Sequence, residues 1–407
     1  MAGVWPGQWV WIGCPGAIIA PGFFRDGDDV SSRTQGQNAR WEGSGSTRRV
    51  LFVIDHLDSG GAPVVARDLI VGMVDAGVEV TLVILSDRQR HVLPSSVEVV
   101  KLPYVAKGIL ERQCRYRRHA QLLDRWLVQH GRRFDLVYAH LHHAHQVVSR
   151  SRLAASAWYC LHADPVTGFL GNKRGLGRWM KRRKVRALYQ GRRIITVSHG
   201  MLERLKTHFS IEPERGVGIH NPLDIERIRK LALAEVSDVP DNFLLYVGRM
   251  DLRQKRFDRL LDAYHQSGVA LPLLLVGGGD GAQKVSAMIR ERKLDDRVWL
   301  LGPRDNPYAY MARARALLLS SDYEGFPLVL PETLACGTPV VSVDCPTGPA
   351  ELLVGELAPC LVPLDDMCAF ADAISRVVEA PPTIGPAFTE SFRLERVVKR
   401  YLALEDG

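Results

Sequence analysis

The stretch Ser320–Asp344, SSDYEGFPLVLPETLACGTPVVSVD, leaves the backbone few choices. The apolar run Ala316–Leu319 that leads into it reads as a short buried strand. Glu324-Gly325-Phe326-Pro327 then reads as a tight turn, and a helix that starts near Leu328 carries Glu332. Pro331 falls in the first turn of that helix, where backbone N–H groups have no helical partner in any case. Gly337 ends the helix, at the position where a positive φ costs least. Pro339–Val343 reads as the next strand.

This arrangement sets two carboxylates eight positions apart, Glu324 on the turn and Glu332 a turn or so into the helix. Between them lies a helix N-terminus with free N–H groups and a positive dipole end. Carboxylates accept hydrogen bonds from hydroxyls, and free N–H groups bind anions. A ligand with many hydroxyls and a diphosphate, such as a nucleotide sugar, satisfies both. Glu324 through Glu332 resembles the E-x7-E signature of the retaining GT-B glycosyltransferases of family four, also called group 1. The surrounding EGFP…E…A-x-G-x-PVV matches over about twenty residues. The competing reading is an ordinary strand–turn–helix with solvated acids.

The 407 residues suffice for two or three domains, and a composition of 46% apolar and 24% charged residues is that of a globular protein. Cysteines stand at 14, 114, 160, 336, 345, 360 and 368, an odd number with no CxxC. They read as reduced and mostly buried, hence a cytosolic protein. A net charge of +8 admits three partners: nucleic acid, anionic lipid or a phosphorylated substrate. Residues 1–48 read as a disordered or mis-assigned leader. Val4–Phe24 is uncharged, but its prolines and glycines make it a poor transmembrane helix and a poor signal peptide. A Trp-rich interfacial anchor (Trp5, Trp9, Trp11) is the alternative.

The fold begins at Arg49. Val50–Ile54 is a buried strand, His56–Ala62 a loop, and Pro63 opens a helix with apolar spacing at Val64, Val65, Leu69, Ile70 and Met73. Strand, Gly-rich loop and helix form the first unit of a Rossmann-like half, without GxGxxG. Gly60-Gly61 resembles the GGAE loop of the family, with Pro63 in place of Glu, a comfortable residue for a first helical turn. Val78–Leu85 and Val97–Leu102 are further strands, and Lys107–Arg133 is a basic helical region. Leu136–Tyr138 is a strand followed by His140, His142, His143 and His145. No acid or Cys lies at a ligand spacing, so these read as loop histidines and no metal is expected. His162 follows the strand Ala157–Leu161, and ligands bind at the C-terminal ends of strands in open parallel sheets. The resemblance puts a histidine near the transferring sugar and phosphates here; the alternative is a structural histidine.

Asn172–Lys206 holds twelve Lys/Arg and one acid, Glu203, with Trp179 and Met180 among them. A run of one sign at this density points to an anionic surface, here a membrane-surface helix, against the alternative of a solvated helix face. Nucleic acid is not favoured as a partner, since no DNA- or RNA-binding motif is present. Ile194–Val197 is a strand, and Ile219-His220-Asn221-Pro222 resembles the family's hinge into the second domain.

Phe243–Val247 opens the second half. Gly248–Asp258, GRMDLRQKRFD, resembles the family's GR-x5-KG-x-D, with Arg256 where the family has Gly. Arg249 and Lys255 flank a loop-to-helix entry, where two cations can stabilise a departing diphosphate. Leu273–Val276 ends in Gly277-Gly278-Gly279-Asp280, and Val298–Gly302 is the next strand. Asp344–Glu351 contains GP-x-E, which resembles a subset that builds surface polysaccharides or lipid-linked glycans, often from UDP-sugars. Phe388–Leu404 reads as one amphipathic helix.

The resemblance, over about residues 49–404, implies an α/β GT-B fold: two Rossmann-like parallel-sheet domains facing across a cleft. The boundaries expected are 49–221 for an acceptor-side domain, 222–387 for a nucleotide-sugar-binding domain, and 388–407 for a helix crossing back. The implied reaction moves a sugar, with retention, from a nucleotide-diphosphate sugar (UDP-sugar favoured) to a glycan or polyprenyl-linked acceptor. No cofactor is implied beyond the donor as co-substrate. Arg249 and Lys255 would hold the diphosphate, Glu332 the ribose hydroxyls, and Glu324 the sugar hydroxyls with the N–H groups of Gly325 and Phe326. His162 would stabilise sugar or phosphate, and Gly60 and Gly61 would line the cleft. The protein would work in the cytoplasm, peripheral on the inner face of the cell membrane. The alternatives are another GT-B activity (epimerase or phosphorylase), a non-catalytic sugar-nucleotide or membrane-binding scaffold, and a nucleic-acid binder driven by the basic segment.

Overall fold

The computed structural model describes residues 47–58 and 60–404. The reading of residues 1–48 as a leader, with its tryptophans, falls almost wholly outside the described residues. Seven strands make the first sheet: β1 (Arg49–Ile54), β2 (Glu79–Ile84), β3 (Glu98–Lys101), β4 (Leu136–His140), β5 (Trp158–Leu161), β6 (Arg193–Thr196) and β7 (Arg215–Gly218). Six make the second: β8 (Leu244–Val247), β9 (Leu273–Val276), β10 (Val298–Gly302), β11 (Ala316–Leu319), β12 (Val340–Asp344) and β13 (Leu361–Pro363). Both sheets are wholly parallel. Helices cover both faces, which is why the inner strands are near-continuous runs of Val, Ile and Leu rather than alternating.

The strand orders are β3-β2-β1-β4-β5-β6-β7 and β10-β9-β8-β11-β12-β13. In each, the direction of winding reverses once, between β1 and β4 and between β8 and β11. At such a switch point the loops leaving the two strands part to opposite faces and open a crevice at the strands' C-terminal ends. The loops there begin at residue 55 after β1 and run over 248–251 after β8 and 320–328 after β11. The Gly-rich turn, the Arg249–Lys255 stretch and the Glu324 turn are therefore brought to the two crevices by topology alone.

Four elements differ from expectation. β7 and β13 escape the sequence because RGVG and LVP carry too little apolar pattern to announce a strand. The histidines after β4 are not in a loop: His140 ends the strand, and His142, His143 and His145 lie on the helix His142–Val148. The C-terminal segment is two helices, Ala387–Glu390 and Leu394–Leu402, rather than one. Val397, Val398, Tyr401 and Leu402 are buried in the same apolar cluster as β1 and the helix Gly61–Asp75. Tyr138 on β4 donates a hydrogen bond to the Tyr401 carbonyl at 2.8 Å. The end of the chain thus packs on the first sheet. Among the described residues no helix is long and apolar enough to cross a membrane.

Candidate active site

The loop after β8 and the loop after β11 meet through four side chains. Lys255, on the single-turn helix Leu252–Lys255, places Nζ 2.6 Å from Oε1 of Glu324, and both residues are buried. Gln254 donates from Nε2 to Oε2 of Glu324 and to the Tyr323 carbonyl, each at 3.1 Å. Its Oε1 accepts from Arg249 at 3.1 Å. Arg249 is exposed at the mouth of the crevice. Arg249 also lies 4.0 Å from Asp251, so each of the two cations that could meet a diphosphate has one carboxylate beside it.

Backbone contacts make this loop rigid. Ser320 donates its hydroxyl to the Lys255 carbonyl at 2.7 Å, and the Asp322 N–H reaches the Gln254 carbonyl at 2.8 Å. The run Gly277–Gly279 lies against the loop after β8: the Met250 N–H bonds the Gly278 carbonyl at 2.8 Å. Gly277, at φ 136°, faces the Gly248 carbonyl so closely that no side chain fits. Arg256, where the family has Gly, takes up the left-handed conformation at φ 48°. Its guanidinium pairs with Asp258 at 2.7 Å and Asp322 at 2.9 Å. These ion pairs hold in place a backbone that glycine would adopt freely.

Glu332 sits on the helix Val329–Ala335, where Tyr308 donates to its Oε1 at 3.3 Å. Burial pushes its carboxyl up to about 7. Asp68, on the helix Gly61–Asp75 of the first half, adds a smaller contribution of the same sign.

The first half brings His162 to the same place. It follows β5, and its backbone carbonyl lies against Gly325: a Cβ at that glycine would come within 2.5 Å of the His162 oxygen. The rings of His162 and His140 share a hydrogen bond of 2.9 Å between Nε2 and Nδ1. Burial lowers His162 to about 4, so the ring is neutral near pH 7. Gly60, at φ 110°, starts the helix Gly61–Asp75, and the space beside Gly61 is open. Phe326 is buried and stacks on His220, 4.8 Å between ring centroids.

The structure thus gathers Arg249, Lys255, Glu324, Gly325 and His162, with Glu332 one helical turn further on. Sequence reading passed over Gln254, which bridges Arg249 and Glu324, although it lies inside the R-x5-K spacing. It also passed over Asp55. That carboxylate accepts the N–H groups of His143 and Ala144 and so ties the loop after β1 to the helix after β4. Burial raises Asp55 to about 7. His145 is held between the Tyr189 hydroxyl (2.8 Å) and the Ala139 carbonyl (2.9 Å), a structural arrangement. Among the described residues, the one group of His, Cys, Asp or Glu close enough to share an ion is His199, His220 and Glu351, outside the histidine run.

The basic stretch is not one free face. Arg193 pairs with Glu214, Arg204 with Asp164, and Arg192 bonds the Ala154 carbonyl. The helix Gly175–Tyr189 buries Val185, Leu188 and Tyr189 and exposes Leu176, Trp179 and Met180, with Arg183 over the Trp179 ring at 4.9 Å.

Two family models match the chain: "Glycosyltransferase Family 4" over residues 59–227 and "Glycosyl transferases group 1" over residues 241–380. A Campylobacter jejuni N-acetylgalactosamine-N,N'-diacetylbacillosaminyl-diphospho-undecaprenol 4-alpha-N-acetylgalactosaminyltransferase is 35% identical over 186 residues, 46% of this chain and 50% of that protein. An Escherichia coli (strain K12) lipopolysaccharide 1,6-galactosyltransferase is 34% identical over 139 residues, 33% of this chain and 39% of that one. The chain therefore spans half or less of the length of these relatives. Among solved structures, the sucrose-phosphate synthase of Thermosynechococcus elongatus superposes with a TM-score of 0.67 at 21% identity, covering 88% of this chain and 98% of that one. The fold is GT-B.

Proposed function

We propose, on the premise that the chain belongs to the group 1 glycosyltransferases, that it transfers a sugar from a nucleotide-diphosphate sugar to a glycan or lipid-linked acceptor in polysaccharide synthesis. The observation that carries this reading is the chain Arg249–Gln254–Glu324–Lys255, set at a switch point and pressed through Gly325 onto His162.

Arg249 and Lys255 receive the diphosphate. As the sugar–phosphate bond breaks, negative charge grows on the leaving group, and preorganised cations stabilise it without reorganising. This supplies what a divalent cation would otherwise supply. Lys255 is already paired, so the donor shares it with Glu324, and Glu324 is left to accept hydrogen bonds from sugar hydroxyls. Glu332 receives the ribose hydroxyls, and a UDP-linked donor is favoured by the GP-x-E segment. Neutral His162 offers its ring and its carbonyl to the transferring sugar.

A two-carboxylate double displacement needs acids astride the scissile bond. Glu324 is instead ion-paired with Lys255 and hydrogen-bonded by Gln254, which supports same-face attack, with the acceptor hydroxyl passing its proton to the departing phosphate. The exposed Leu176, Trp179 and Met180, ringed by Arg and Lys, support a peripheral site on an anionic cytoplasmic membrane surface.

The test is a thermal-shift panel of nucleoside diphosphates and nucleotide sugars, with and without EDTA. A ligand held at 100 times its Kd adds about 2.7 kcal/mol of stability. A rise with one base, unchanged by EDTA, is expected. No rise with any nucleotide sinks the reading, and an anomerically inverted product sinks retention.

A further inference from the structure

The segment that leaves β12, Asp344–Glu351, reaches both halves of the molecule. The Thr347 hydroxyl donates to the Glu324 carbonyl. Four residues on, Glu351 leaves its own half. Its Oε1 accepts the Gly200 N–H at 2.8 Å and its Oε2 the His199 N–H at 2.9 Å. Oε2 also lies 2.7 Å from Nε2 of His220. His199 and Gly200 begin the eleven-residue helix His199–Phe209, capped by Ser198, so the carboxylate sits on free N–H groups at the positive end of a helix dipole. Burial alone would raise this carboxyl, but His220 and the two amides hold it below its ordinary range.

The cap residue Ser198 and the partner His220 also touch the Glu324 loop, and Gly200 reaches it through Thr347. Ser198 donates its hydroxyl to the Gly325 carbonyl at 3.0 Å. The His220 ring stacks on Phe326. Gly200 packs against Thr347, which itself binds the Glu324 carbonyl. The helix start, the hinge residue and the Glu324 loop are therefore one contact patch, and Glu351 is the charged group that closes it.

A metal reading of His199, His220 and Glu351 fits less well. Both carboxylate oxygens already face backbone N–H donors, which cannot become ligands.

We propose that Glu351 is a positioning residue: by seating the start of the helix His199–Phe209, it registers His162 of one half against Glu324 of the other. Its consequence for turnover rests on the transferase reading above; its consequence for the structure does not.

The test compares the full chain with Glu351→Ala and Glu351→Gln, with Glu356→Ala, at an exposed residue nearby, as control. Hydrogen exchange read by mass spectrometry should show at least tenfold faster exchange at the His199 and Gly200 amides in Glu351→Ala. Peptides spanning 322–330 should lose protection as well, and Glu351→Gln should fall between. Wild-type exchange at 322–330 in Glu351→Ala overturns the proposal, because the loop is then set without it.

With a UDP-sugar, kcat should fall roughly 10–100-fold while the Kd for UDP stays within about threefold, as expected of misplacement rather than lost binding. A fall in kcat matched by equal loss of UDP binding also overturns it. A wild type without turnover on any nucleotide sugar refutes the transferase reading, while the exchange result still decides the role of Glu351.

Discussion

Replacing Lys255 by methionine keeps the reach of the side chain and removes its charge. Lys255 Nζ and Glu324 Oε1 are 2.6 Å apart, and their side chains are 11% and 9% exposed. At an effective dielectric of 20 the gross attraction is about 6 kcal/mol. Most of that is offset by the cost of drying both ions, so the pair adds little net stability. Breaking it differs from never having it. Glu324 would be left as a buried charge, which costs about 3–5 kcal/mol. Gln254 still donates to Oε2, so the lower end applies, about 3 kcal/mol. For a half of this size that lowers Tm by about 6–12 °C. The assay is a cycle of thermal melts on wild type, Lys255→Met, Glu324→Gln and the double variant. The double variant should recover to within about 1–2 kcal/mol of wild type, with a coupling energy above about 2 kcal/mol. Additivity within about 0.5 kcal/mol would refute the buried-pair argument. Turnover should fall roughly 10²–10³-fold in Lys255→Met and should not return in the stable double variant. Recovery of activity with stability would remove Lys255 from the chemistry.

Gly325→Ala puts a methyl group within 2.5 Å of the His162 oxygen, so the halves must part; turnover should fall about tenfold or more, since a displacement near 1 Å can cost 10²-fold, and unchanged kinetics would show that the contact is incidental. Glu332 titrates at about 7 in the folded chain against 4.5 ordinarily, so its contribution to stability is complete below the ordinary value and is lost as pH rises through 7. Glu332→Gln should therefore melt progressively above wild type from pH 5 to 8, by up to about 3 kcal/mol, and a difference independent of pH would contradict the shift. Arg256→Ala loses two ion pairs and keeps an unfavourable φ, whereas Arg256→Gly loses the pairs but relaxes the backbone; the Gly variant should be the more stable by about 1 kcal/mol, and equal stability in urea melts would deny that the φ of 48° carries strain. Neutralising Lys181, Arg182, Arg183 and Lys184 should weaken sedimentation with anionic vesicles and leave UDP affinity unchanged; unaltered sedimentation would make that helix an ordinary solvated face.

Much of this molecule is local. The runs VLFVI, LVY and ALLL announce strands covered on both faces, and the glycines between strand and helix announce the turns, so the alternation of a parallel α/β chain is legible residue by residue. Glu324 on a turn and Glu332 on a helix follow from the same local grammar, with Gly337 and Pro331 as its punctuation. β7 and β13 were invisible for the converse reason: short edge strands of Gly and Pro are made by their neighbours' hydrogen bonds rather than by their own pattern. The histidine run misled because a helix beginning with Leu141 at φ 74° has no capping side chain to signal it; its cap comes from Asp55, nearly ninety residues earlier.

What the sequence determined alone is the class of chain and the chemical vocabulary of its crevice, since hydrophobic period, turn residues and charge spacing act over a few residues. Only the tertiary structure decided which of those groups face one another. Lys255 neutralises Glu324 across 69 positions, Gln254 joins that pair to Arg249, and Glu351 crosses 152 positions to hold the start of a helix in the other half. Such pairings are set by strand order and by the exclusion of water from the contact, and neither is a property of any short stretch of chain.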